Sequence, residues 1–573
     1  MHTEGTKKRI AILGAGPSGL FVYGRLLNAG RNDIEIHIFE RKYQLGAGMP
    51  YSEEGANEEH VTNVSDNEIP HIATTIQEWI KTVPGSTLKH FGIDPSKFSE
   101  YKVLPRLLFG QYLSAQFDLL QEKAKKIGIT TKLHLNCTIK DIADQPDKKE
   151  VRVETEENEF LNFDHVIICT GHNWPKKQEG KIPGYYDSPY PPSKLQLELN
   201  HPVAIKGSSL TAIDAIRTLA RQNGTFINSN DDKLLYEPSE SSPGFKLVLH
   251  SLNGLLPAIR FHLEDSHLSS DSLVSQEEIA VNREENEGFL SLDFIFEKDF
   301  KDKLKEKDPQ FYERIKDMGI EEFVESMMEL RKRLEPFQLF RAEYAEAEKS
   351  IKRHESVYWK EMLAVLSFAM NQPAKYFSAE DMLRLKKVLM PLISVVIAFV
   401  PQSSCKELFA LHEAGKLDIV SVGPDSSIEP ESKGGATYKF TDESKEEQSV
   451  YYKTFVDCVG QPHLSYDDFP FKSLIIKKTV SPGKIQFRSL EEGIKAKEKD
   501  DKNIVKDMNG KYYLKVSGLA INDNFQVLDE YGSANRRVFI MAVPYIGGYN
   551  PDYSGLDFCE SASELVVNTI LKF

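Results

Sequence analysis

The stretch Arg9-Ile-Ala-Ile-Leu-Gly-Ala-Gly-Pro-Ser-Gly19 joins an apolar run to a glycine-rich turn, and an apolar helix pattern follows it. Gly14 permits a tight turn, Gly16 lets the backbone approach a pyrophosphate, and Gly19 lets helix and strand pack closely. The N-terminus of such a helix presents unpaired N–H groups and a positive dipole end to phosphates. A second apolar strand pattern, Ile34–Glu40, ends in an acid that can accept hydrogen bonds from ribose hydroxyls. This context predicts a dinucleotide-binding unit.

The bulk composition bounds the size and the partners of the protein. A chain of 573 residues is too long for one hydrophobic core and predicts two or three domains. A net charge of -15 argues against nucleic acid or an anionic membrane as the main partner. The cysteines form no CxxC pair, which fits a reducing compartment and predicts neither a structural zinc site nor a redox dithiol. They are Cys137, Cys169, Cys405, Cys458 and Cys559.

We expect neither a targeting segment nor a membrane segment. The first residues are polar and lead directly into a strand pattern, so no signal peptide is predicted. The most apolar run, Val388–Val400, is too short to cross a bilayer and contains Pro391. We therefore expect a cytoplasmic protein with no membrane partner and no nucleic-acid partner. The sequence leaves the oligomeric state open.

A second strand-helix pattern follows the first unit. His201–Gly207 has the pattern of a strand, Ser208–Arg217 that of a helix start, and Phe245–Leu252 that of the next strand. Two apolar segments, Phe163–Gly171 and Tyr451–Gly460, end in the similar motifs Cys-Thr-Gly and Cys-Val-Gly. A chain that bound a single nucleotide would not need two such sets of strands and helices, so we predict two dinucleotide-binding units.

The segments between these units have other patterns. Lys132–Ile142 and Glu150–Glu156 predict strands of a small β-meander, and the polar residues 228–244 predict a mobile surface loop. Residues 308–353 are charged and carry apolar residues at helical spacing. Together with their flanks they predict a mainly helical block at 261–400.

The C-terminal segment completes the predicted architecture. Arg537–Val543 is a further buried strand pattern, which leads through a glycine-rich loop into a helix over Gly555–Leu571. We predict that this strand and helix return to the first unit. The fold class is then α/β, with two Rossmann-like dinucleotide-binding domains, the first split in sequence, and a helical insertion. The predicted domains are 1–200 with 465–573, 201–260 with 401–464, and the insertion 261–400.

The chain resembles the family of FAD/NAD(P)-binding proteins that includes bacterial FAD-dependent urate hydroxylases. It is more distantly similar to flavin-containing, Baeyer–Villiger and N-hydroxylating monooxygenases. The resemblance covers most of residues 8–260 and 400–570, and it is patchy over the helical block. The motifs that carry it are Gly14–Gly19, Gly46–Ser52, His60–Asn63, Pro105–Leu113, Cys169–Gly171, Gly207–Asp214 and Gly254–Pro257.

The resemblance implies that the first domain binds FAD. It places the glycine loop at the pyrophosphate, Glu40 at the adenosine ribose and the backbone of Ile139 at the adenine. It places Arg106 at the edge of FAD, and the start of the last helix at the flavin pyrimidine, where its N–H groups would stabilise negative charge. The implied FAD residues are Gly14, Gly16, Pro17, Ser18, Gly19, Glu40, Arg41, Gly48, Met49, Asn63, Arg106, Ile139, Thr170, Gly171, Gly555 and Leu556.

The second domain is expected to bind the nicotinamide cofactor. Family members commonly carry an arginine after the serine of the motif that here reads His250–Pro257, and it clamps the 2′-phosphate of NADPH. This chain has Leu252 and Asn253 at that place, so use of NADH, or a weak and slow reduction, becomes more favoured than NADPH preference unless Arg260 or Lys206 supplies the cation. The implied residues are Gly207, Ser209, Leu210, Thr211, Ser251 and Asn253.

The resemblance implies a monooxygenase that uses NADH or NADPH, FAD and O2 to hydroxylate a small organic substrate. Oxygen transfer would proceed through a flavin C4a-(hydro)peroxide. Two alternatives stay open: a flavin-dependent oxidase or dehydrogenase, and an FAD-binding protein whose helical block docks a partner. The sequence contains no recognisable motif for a catalytic triad or a metal cluster. Candidates for polar catalytic roles are Asn63, Asp187, Tyr545 and Asn550, by loop position alone.

Overall fold

The computed structural model describes residues 7–99, 101–231, 233–264, 273–442, 444–499, 502–552 and 555–572. The first part of the chain is an α/β segment with a small antiparallel sheet. Its elements are β1 (Lys8–Leu13), α1 (Pro17–Asn28), β2 (Ile34–Glu40), β3 (Val61–Ser65), α2 (Ile76–Ile80), α3 (Gly85–His90), β4 (Val103–Pro105), α4 (Arg106–Ile127), β5 (Thr130–Leu135), β6 (Ile139–Gln145), β7 (Glu150–Thr155), β8 (Phe160–Phe163), β9 (His165–Ile168) and β10 (Tyr185–Tyr186).

The middle of the chain alternates strands with a long run of helices. Its elements are β11 (Pro202–Lys206), α5 (Leu210–Gln222), β12 (Gly224–Asn228), β13 (Leu234–Pro238), β14 (Lys246–Ser251), α6 (Gln276–Glu285), α7 (Leu292–Phe296), α8 (Asp302–Lys307), α9 (Pro309–Ile315), α10 (Ile320–Lys332), α11 (Pro336–Arg353), α12 (Tyr358–Ala369), α13 (Ala379–Arg384), α14 (Met390–Val396), α15 (Gln402–Glu413), β15 (Leu417–Ser421), β16 (Ser427–Pro430), β17 (Ala436–Thr441), β18 (Glu447–Tyr452) and β19 (Thr454–Asp457).

The last part of the chain returns to strands and ends in a long helix. Its elements are α16 (Lys472–Ile476), β20 (Pro482–Gln486), α17 (Leu490–Lys499), β21 (Ile504–Lys506), β22 (Tyr512–Leu519), β23 (Gln526–Leu528), β24 (Ala534–Ile540) and α18 (Gly555–Ile570). Strands β20, β22 and β21 form a separate antiparallel sheet.

The first sheet has the order β23-β24-β9-β1-β2-β5 and is parallel except for β23. Its central strand β1 is buried from Ile10 to Leu13, as expected for a sheet covered on both faces. Strand β24 pairs in parallel with β9, with Val538 opposite Val166. A strand from the far end of the chain thus completes the N-terminal sheet, which confirms the prediction of a split domain.

The prediction that Lys132–Ile142 is a strand of the meander is wrong. Thr130–Leu135 is the edge strand β5 of the parallel sheet, and the meander consists of β6, β7 and β8. The side chains of β5 are half-buried or exposed because the strand has a neighbour on one side only. An edge strand of a parallel sheet and a strand of an exposed meander are both partly polar. The composition of β5 therefore does not show which of the two sheets it joins.

The second sheet has the order β10-β19-β11-β14-β15 and is parallel throughout. This sheet with helix α5 confirms the second Rossmann-like unit. Tyr185–Tyr186 pair with this sheet, ahead of the predicted domain boundary at residue 200. The predicted loop 228–244 is wrong in part, because β12 and β13 form a hairpin there. Buried Tyr236 anchors the hairpin by donating a hydrogen bond to the Ala220 carbonyl at 2.8 Å.

The helices α6 to α14 are inserted between the neighbouring strands β14 and β15, which confirms a helical insertion in the second unit. Most of the insertion does not pack on that unit. Buried residues such as Phe323 and Leu389 share one continuous core with the first domain. On the other side, Phe337 and Phe340 of α11 join the core of the second domain. The insertion therefore bridges the two domains.

No helix in the part of the chain that the structure describes is both long enough and apolar enough to cross a membrane.

Candidate cofactor and substrate site

The glycine loop between β1 and α1 has the geometry that its sequence predicts. Gly14 has φ +103°, and a Cβ there would lie 2.7 Å from the Cys169 carbonyl oxygen. A Cβ at Gly19 would lie 2.1 Å from the carbonyl oxygen of Gly14. Both positions therefore need glycine for close packing. No side chain among the described residues caps α1, so its first N–H groups remain available to a phosphate.

Glu40 ends strand β2 and bonds to the same loop. Its carboxylate accepts hydrogen bonds from the N–H groups of Ala15 at 2.9 Å and Lys42 at 3.2 Å. The acid predicted to bind a ribose is therefore in contact with the glycine loop, as a dinucleotide site requires. The neighbouring Arg41 is exposed and pairs with Glu54 at 3.1 Å.

A second glycine loop, residues 46–52, lies against the first. The N–H of Gly46 donates to the Ala15 carbonyl at 2.7 Å. A Cβ at Gly16 would lie 3.2 Å from the Cα of Gly48, whose own φ is +60°. The Met49 carbonyl accepts from the backbone and the hydroxyl of Ser52. The two loops are thus packed backbone to backbone, which explains the glycines in both.

Helix α18 packs against α1, so the N-terminal ends of both helices lie together. The Ser18 hydroxyl and the Cys559 thiol are 3.4 Å apart. Near the start of α18, burial raises the pKa of Asp557 to about 7. Gly171 follows β9, and α18 begins at Gly555; a Cβ added at either glycine would meet no atom of the described residues within 4 Å.

Arg106 lies at the interface between the two dinucleotide-binding domains. Its guanidinium donates to the Asp214 carboxylate of α5 at 2.6 and 3.2 Å and to the Val61 carbonyl at 3.1 Å. The Tyr190 hydroxyl also donates to Asp214, at 2.7 Å. Burial alone would lower the pKa of Arg106, but Asp214 and Tyr190 outweigh it and raise the pKa. The N–H groups of Arg106 that donate these bonds therefore connect the two domains. The predicted contact between Arg106 and FAD stays a prediction.

Three catalytic candidates have structural partners. The Asp187 carboxylate accepts hydrogen bonds from the N–H groups of residues 177–179 at 2.6 to 2.9 Å, which is a loop-stabilising arrangement. The main-chain carbonyl of Asn63, not its side chain, accepts from Arg260, and the buried Asn550 side chain accepts from the Gln372 N–H at 2.9 Å. Of these, Asn550 lies in the loop before α18, where a flavin ring is predicted.

The remaining FAD candidates lie on the elements expected of them. Pro17 begins α1, Thr170 follows β9, and Leu556 is buried in the first turn of α18. Ile139 begins β6 and pairs with Thr155 in the meander. The structure therefore brings together the glycine loops, Glu40 and the start of α18, whereas Asp187 belongs to a different loop.

The glycine loop of the second domain repeats the geometry of the first. Gly207 has φ +102°, and a Cβ there would lie 2.9 Å from the Cys458 carbonyl oxygen. Ser209 is the N-cap residue of α5 but makes no side-chain capping bond, so Leu210 and Thr211 begin a helix without a side-chain cap. Buried Ala212 takes the place of the third glycine. This domain keeps a helix N-terminus suited to a phosphate.

The loop after β14 has no cation for a 2′-phosphate. Ser251 donates to Asn253 at 3.1 Å, and the Leu252 side chain is 65% exposed. Lys206 pairs with Asp457 at 3.0 Å. Arg260 is buried and donates to Ser65 at 2.8 Å, so it faces the first domain. Neither of the two cations that could replace the missing arginine is therefore free at this loop.

The sequence reasoning missed a group of polar residues between the insertion and the loop before α18. Ser367, Asn371 and Gln372 lie in or just after α12, and they contact Asp552 and Asn550. No sequence pattern could reveal these contacts, because they join segments far apart in the chain.

Comparison with known proteins supports the assignment of the first domain. The family described as FAD-NAD(P)-binding matches residues 11–173, and the family described as YdhS-like middle domain matches residues 275–397. The first domain is therefore an FAD-NAD(P)-binding domain, which confirms this part of the predicted resemblance. The finer resemblance to urate hydroxylases stays a prediction.

Two curated proteins are similar over longer stretches. "Uncharacterized protein YdhS" of Escherichia coli (strain K12) is 29% identical over 476 residues, which are 82% of this chain and 86% of that protein. "Trimethylamine monooxygenase" of Roseovarius sp. (strain 217) is 27% identical over 179 residues, 29% of this chain and 36% of that protein. Among solved structures, L-lysine 6-monooxygenase from Pseudomonas syringae aligns with a TM-score of 0.47 and 11% identity, covering 99% of each chain.

Proposed function

We propose that this protein is an FAD-dependent monooxygenase that uses a reduced nicotinamide and O2 to hydroxylate a small organic substrate. One observation carries the proposal: the chain brings its two glycine loops, Glu40 and the start of α18 to one place, although α18 lies at the far end of the sequence. The match of the first domain to FAD-NAD(P)-binding domains and the similarity to a monooxygenase support it.

The residues of the first domain fit FAD. The loop Gly14–Gly19 and the N–H groups at the start of α1 would hold the pyrophosphate, because this loop admits no side chain at Gly14 or Gly19. Glu40 would exchange its bond to the Ala15 N–H for ribose hydroxyls. Bound FAD would supply a hydride acceptor and a centre that activates O2. The start of α18 would stabilise negative charge on the reduced ring.

The second domain would deliver the reductant. The turn at Gly207 and the uncapped N-terminus of α5 would hold the cofactor phosphates, with Ser251 and Asn253 at the ribose side. The ion pair between Arg106 and Asp214 fixes this domain against the first one. Since neither Lys206 nor Arg260 is free, this arrangement favours NADH at least as much as NADPH.

The insertion would exclude water from the reaction. It contacts the loop that leads into α18 and shares its core with the first domain. Closure of a flavin site by such a block protects the oxygenating species from loss as hydrogen peroxide. The substrate would then bind between the insertion and the end of the flavin ring.

The proposal is tested by measuring NADH consumption, flavin reduction and hydrogen peroxide formation. The holoprotein should be reduced by NADH under anaerobic conditions and should reoxidise in air. With a panel of small amines, amides and ketones, a true substrate should increase NADH consumption and decrease the hydrogen peroxide formed per NADH. Stoichiometric hydrogen peroxide with every compound that is turned over would identify an oxidase. The absence of flavin reduction by either nicotinamide would leave a binding protein.

A further inference from the structure

An open cavity lies on the first domain between α2 and α4. Its volume is about 670 Å³, which is within the range of small-molecule binding sites. Asp118 of α4 lines the cavity and lies about 18 Å along the helix axis from Arg106 at the domain interface. The cavity therefore lies apart from the interface at which Arg106 meets the second domain.

One part of the cavity lining is apolar. It consists of the Trp79 indole together with Ala115 and Leu119. The Trp79 ring packs against Tyr112, with the ring centroids 5.6 Å apart and the planes at 65°. Leu119 is 43% exposed and so offers apolar surface that a ligand can cover. An indole suits both hydrocarbon and a cation, which its ring attracts.

Trp79 also brings an unpaired hydrogen-bond donor to the cavity. Only 9% of the residue is exposed, and its indole N–H donates to no residue that the structure describes. This nitrogen keeps accessible surface, unlike the sealed unpaired atoms such as Asn371 Nδ2. The indole N–H of a buried tryptophan usually has a partner, and it can only donate. A ligand that fits the cavity therefore carries an acceptor such as a carbonyl oxygen.

The charged groups that line the cavity are mostly negative. They are the carboxylates of Glu78, Asp118 and Glu122 and the ammonium of Lys125. Lys125 pairs with Glu122 at 2.6 Å, whereas Glu78 and Asp118 form no ion pair with any residue that the structure describes. Two carboxylates without a counter-charge on one cavity attract a cation and repel an anion.

We propose that this cavity binds a small organic cation that also carries a carbonyl group, such as an amide with an alkylammonium chain. The carbonyl oxygen accepts from the Trp79 N–H, the alkyl chain packs against Leu119, and the ammonium lies next to Glu78 and Asp118. This inference does not depend on the proposed function, because none of these residues belongs to the candidate FAD or nicotinamide sites.

The test compares two probes of the same shape. Nα-acetyl-lysine methylamide carries the carbonyl groups and an ammonium, and Nα-acetyl-norleucine methylamide lacks only the ammonium. The chain has three tryptophans, so the isotope-labelled protein gives three indole N–H signals by NMR, and Trp79→Phe identifies the signal of Trp79. The lysine probe should shift this signal saturably, and the norleucine probe should bind about fivefold more weakly.

Two variants place the binding at this cavity. Asp118→Asn should weaken binding of the lysine probe about threefold; Asp118 is the better target because the Glu78 carboxylate also caps α2. Leu119→Arg adds a competing cation and should abolish the saturable shift. The matched controls Asp317→Asn and Leu330→Arg, at exposed positions of the insertion, should bind like wild type.

Circular dichroism shows whether each variant folds, and Asp118→Asn carries the test if Leu119→Arg does not fold. Equal binding of the two probes would overturn the inference, and so would a Trp79 signal that the lysine probe does not shift. Binding by Asp118→Asn and Leu119→Arg that equals wild type would place the probe elsewhere and overturn it as well. Failure of the proposed function shows separately, as absence of flavin reduction.

Discussion

Arg106 and Asp214 form a two-point ion pair, with contacts of 2.6 and 3.2 Å, between the helix that begins at Arg106 and the helix of the second dinucleotide-binding domain. Both side chains are largely buried, with 16% and 6% exposed. The pKa of Asp214 is lowered because Arg106 outweighs the opposing effect of burial. The pair therefore fixes the relative position of the two nucleotide sites.

Breaking this pair should destabilise the protein strongly. Asp214→Ala leaves the buried guanidinium of Arg106 without its counter-charge, at a cost of about 3 kcal/mol or more in unfolding free energy. The measurement is urea unfolding followed by circular dichroism. Lys478→Ala is the control, because Lys478 pairs with Glu530 at the surface and its loss should leave stability nearly unchanged. Equal effects of the two substitutions would show that the interdomain pair is not structural.

The loop after β14 predicts weak discrimination between NADH and NADPH. With Lys206 paired to Asp457 and Arg260 turned to the first domain, neither of these two cations is free to bind a 2′-phosphate there. Anaerobic flavin reduction by each cofactor in a stopped-flow instrument should give apparent affinities within about tenfold of each other, or about 1.4 kcal/mol. A strong preference for NADPH would mean that another cation reaches the phosphate.

Asp523 ties the insertion to the first domain. It accepts from the Tyr376 hydroxyl at 2.6 Å and pairs with Lys375 at 2.5 Å, whose side chain is only 8% exposed. Asp523→Ala should lower the unfolding free energy by about 2 kcal/mol. This value already allows for the partial exposure of Asp523, which weakens its ion pair. It should also increase the hydrogen peroxide formed per NADH. Lys316→Ala, which removes an exposed pair on the insertion, should change neither quantity. Unchanged coupling in the Asp523 variant would mean that the insertion does not close the site.

Asp299 makes stability depend on pH. It is 1% exposed, and burial raises its pKa to about 7, with the backbone N–H of Val274 and the charge of Lys303 in partial compensation. Because the folded pKa is above the unfolded one, folding favours the protonated acid, and stability is lost as the pH rises from 4 to 7. The loss amounts to roughly 4 kcal/mol. Asp299→Asn should remove this contribution, so the difference in unfolding free energy between wild type and variant should change by roughly 4 kcal/mol between pH 4 and pH 7.

The control for this pH effect is Asp317→Asn, a change at an exposed position of the same insertion. It should leave the wild-type pH dependence intact. If the unfolding free energies of Asp299→Asn and wild type change by the same amount between pH 4 and pH 7, then the Asp299 carboxyl does not have a raised pKa in the folded protein.

Local motifs allowed the sequence to predict the two nucleotide-binding turns. The motifs Cys-Thr-Gly and Cys-Val-Gly are similar because Cys169 and Cys458 contact equivalent glycines, Gly14 and Gly207, whose φ angles are +103° and +102°. Such positions need glycine whatever surrounds them, so the sequence records them directly. The buried strands were also predictable from local sequence, because their apolar runs are continuous.

Features that depend on distant partners could not be predicted. Strand β5 pairs with β2 although β3, β4 and the helices α2 to α4 separate the two in sequence, and its half-exposed side chains give no sign of that partner. The partner of Arg106 lies in another domain, so its role at the interface has no local motif. The junction between Asn371 and Asp552 joins the insertion to the C-terminal loop, and the local sequence of neither residue identifies the other as its partner.

The central claim is that the split first domain holds FAD, and the flavin content of the purified protein tests it most directly. After incubation with FAD and removal of excess, the absorption spectrum should show about one flavin per chain. Gly16→Val should retain less than about a tenth of that amount, since a Cβ at Gly16 already lies 3.2 Å from Gly48. Gly85→Ala, at a position with open space, should bind like wild type. A colourless wild-type protein that takes up no added FAD would contradict the account.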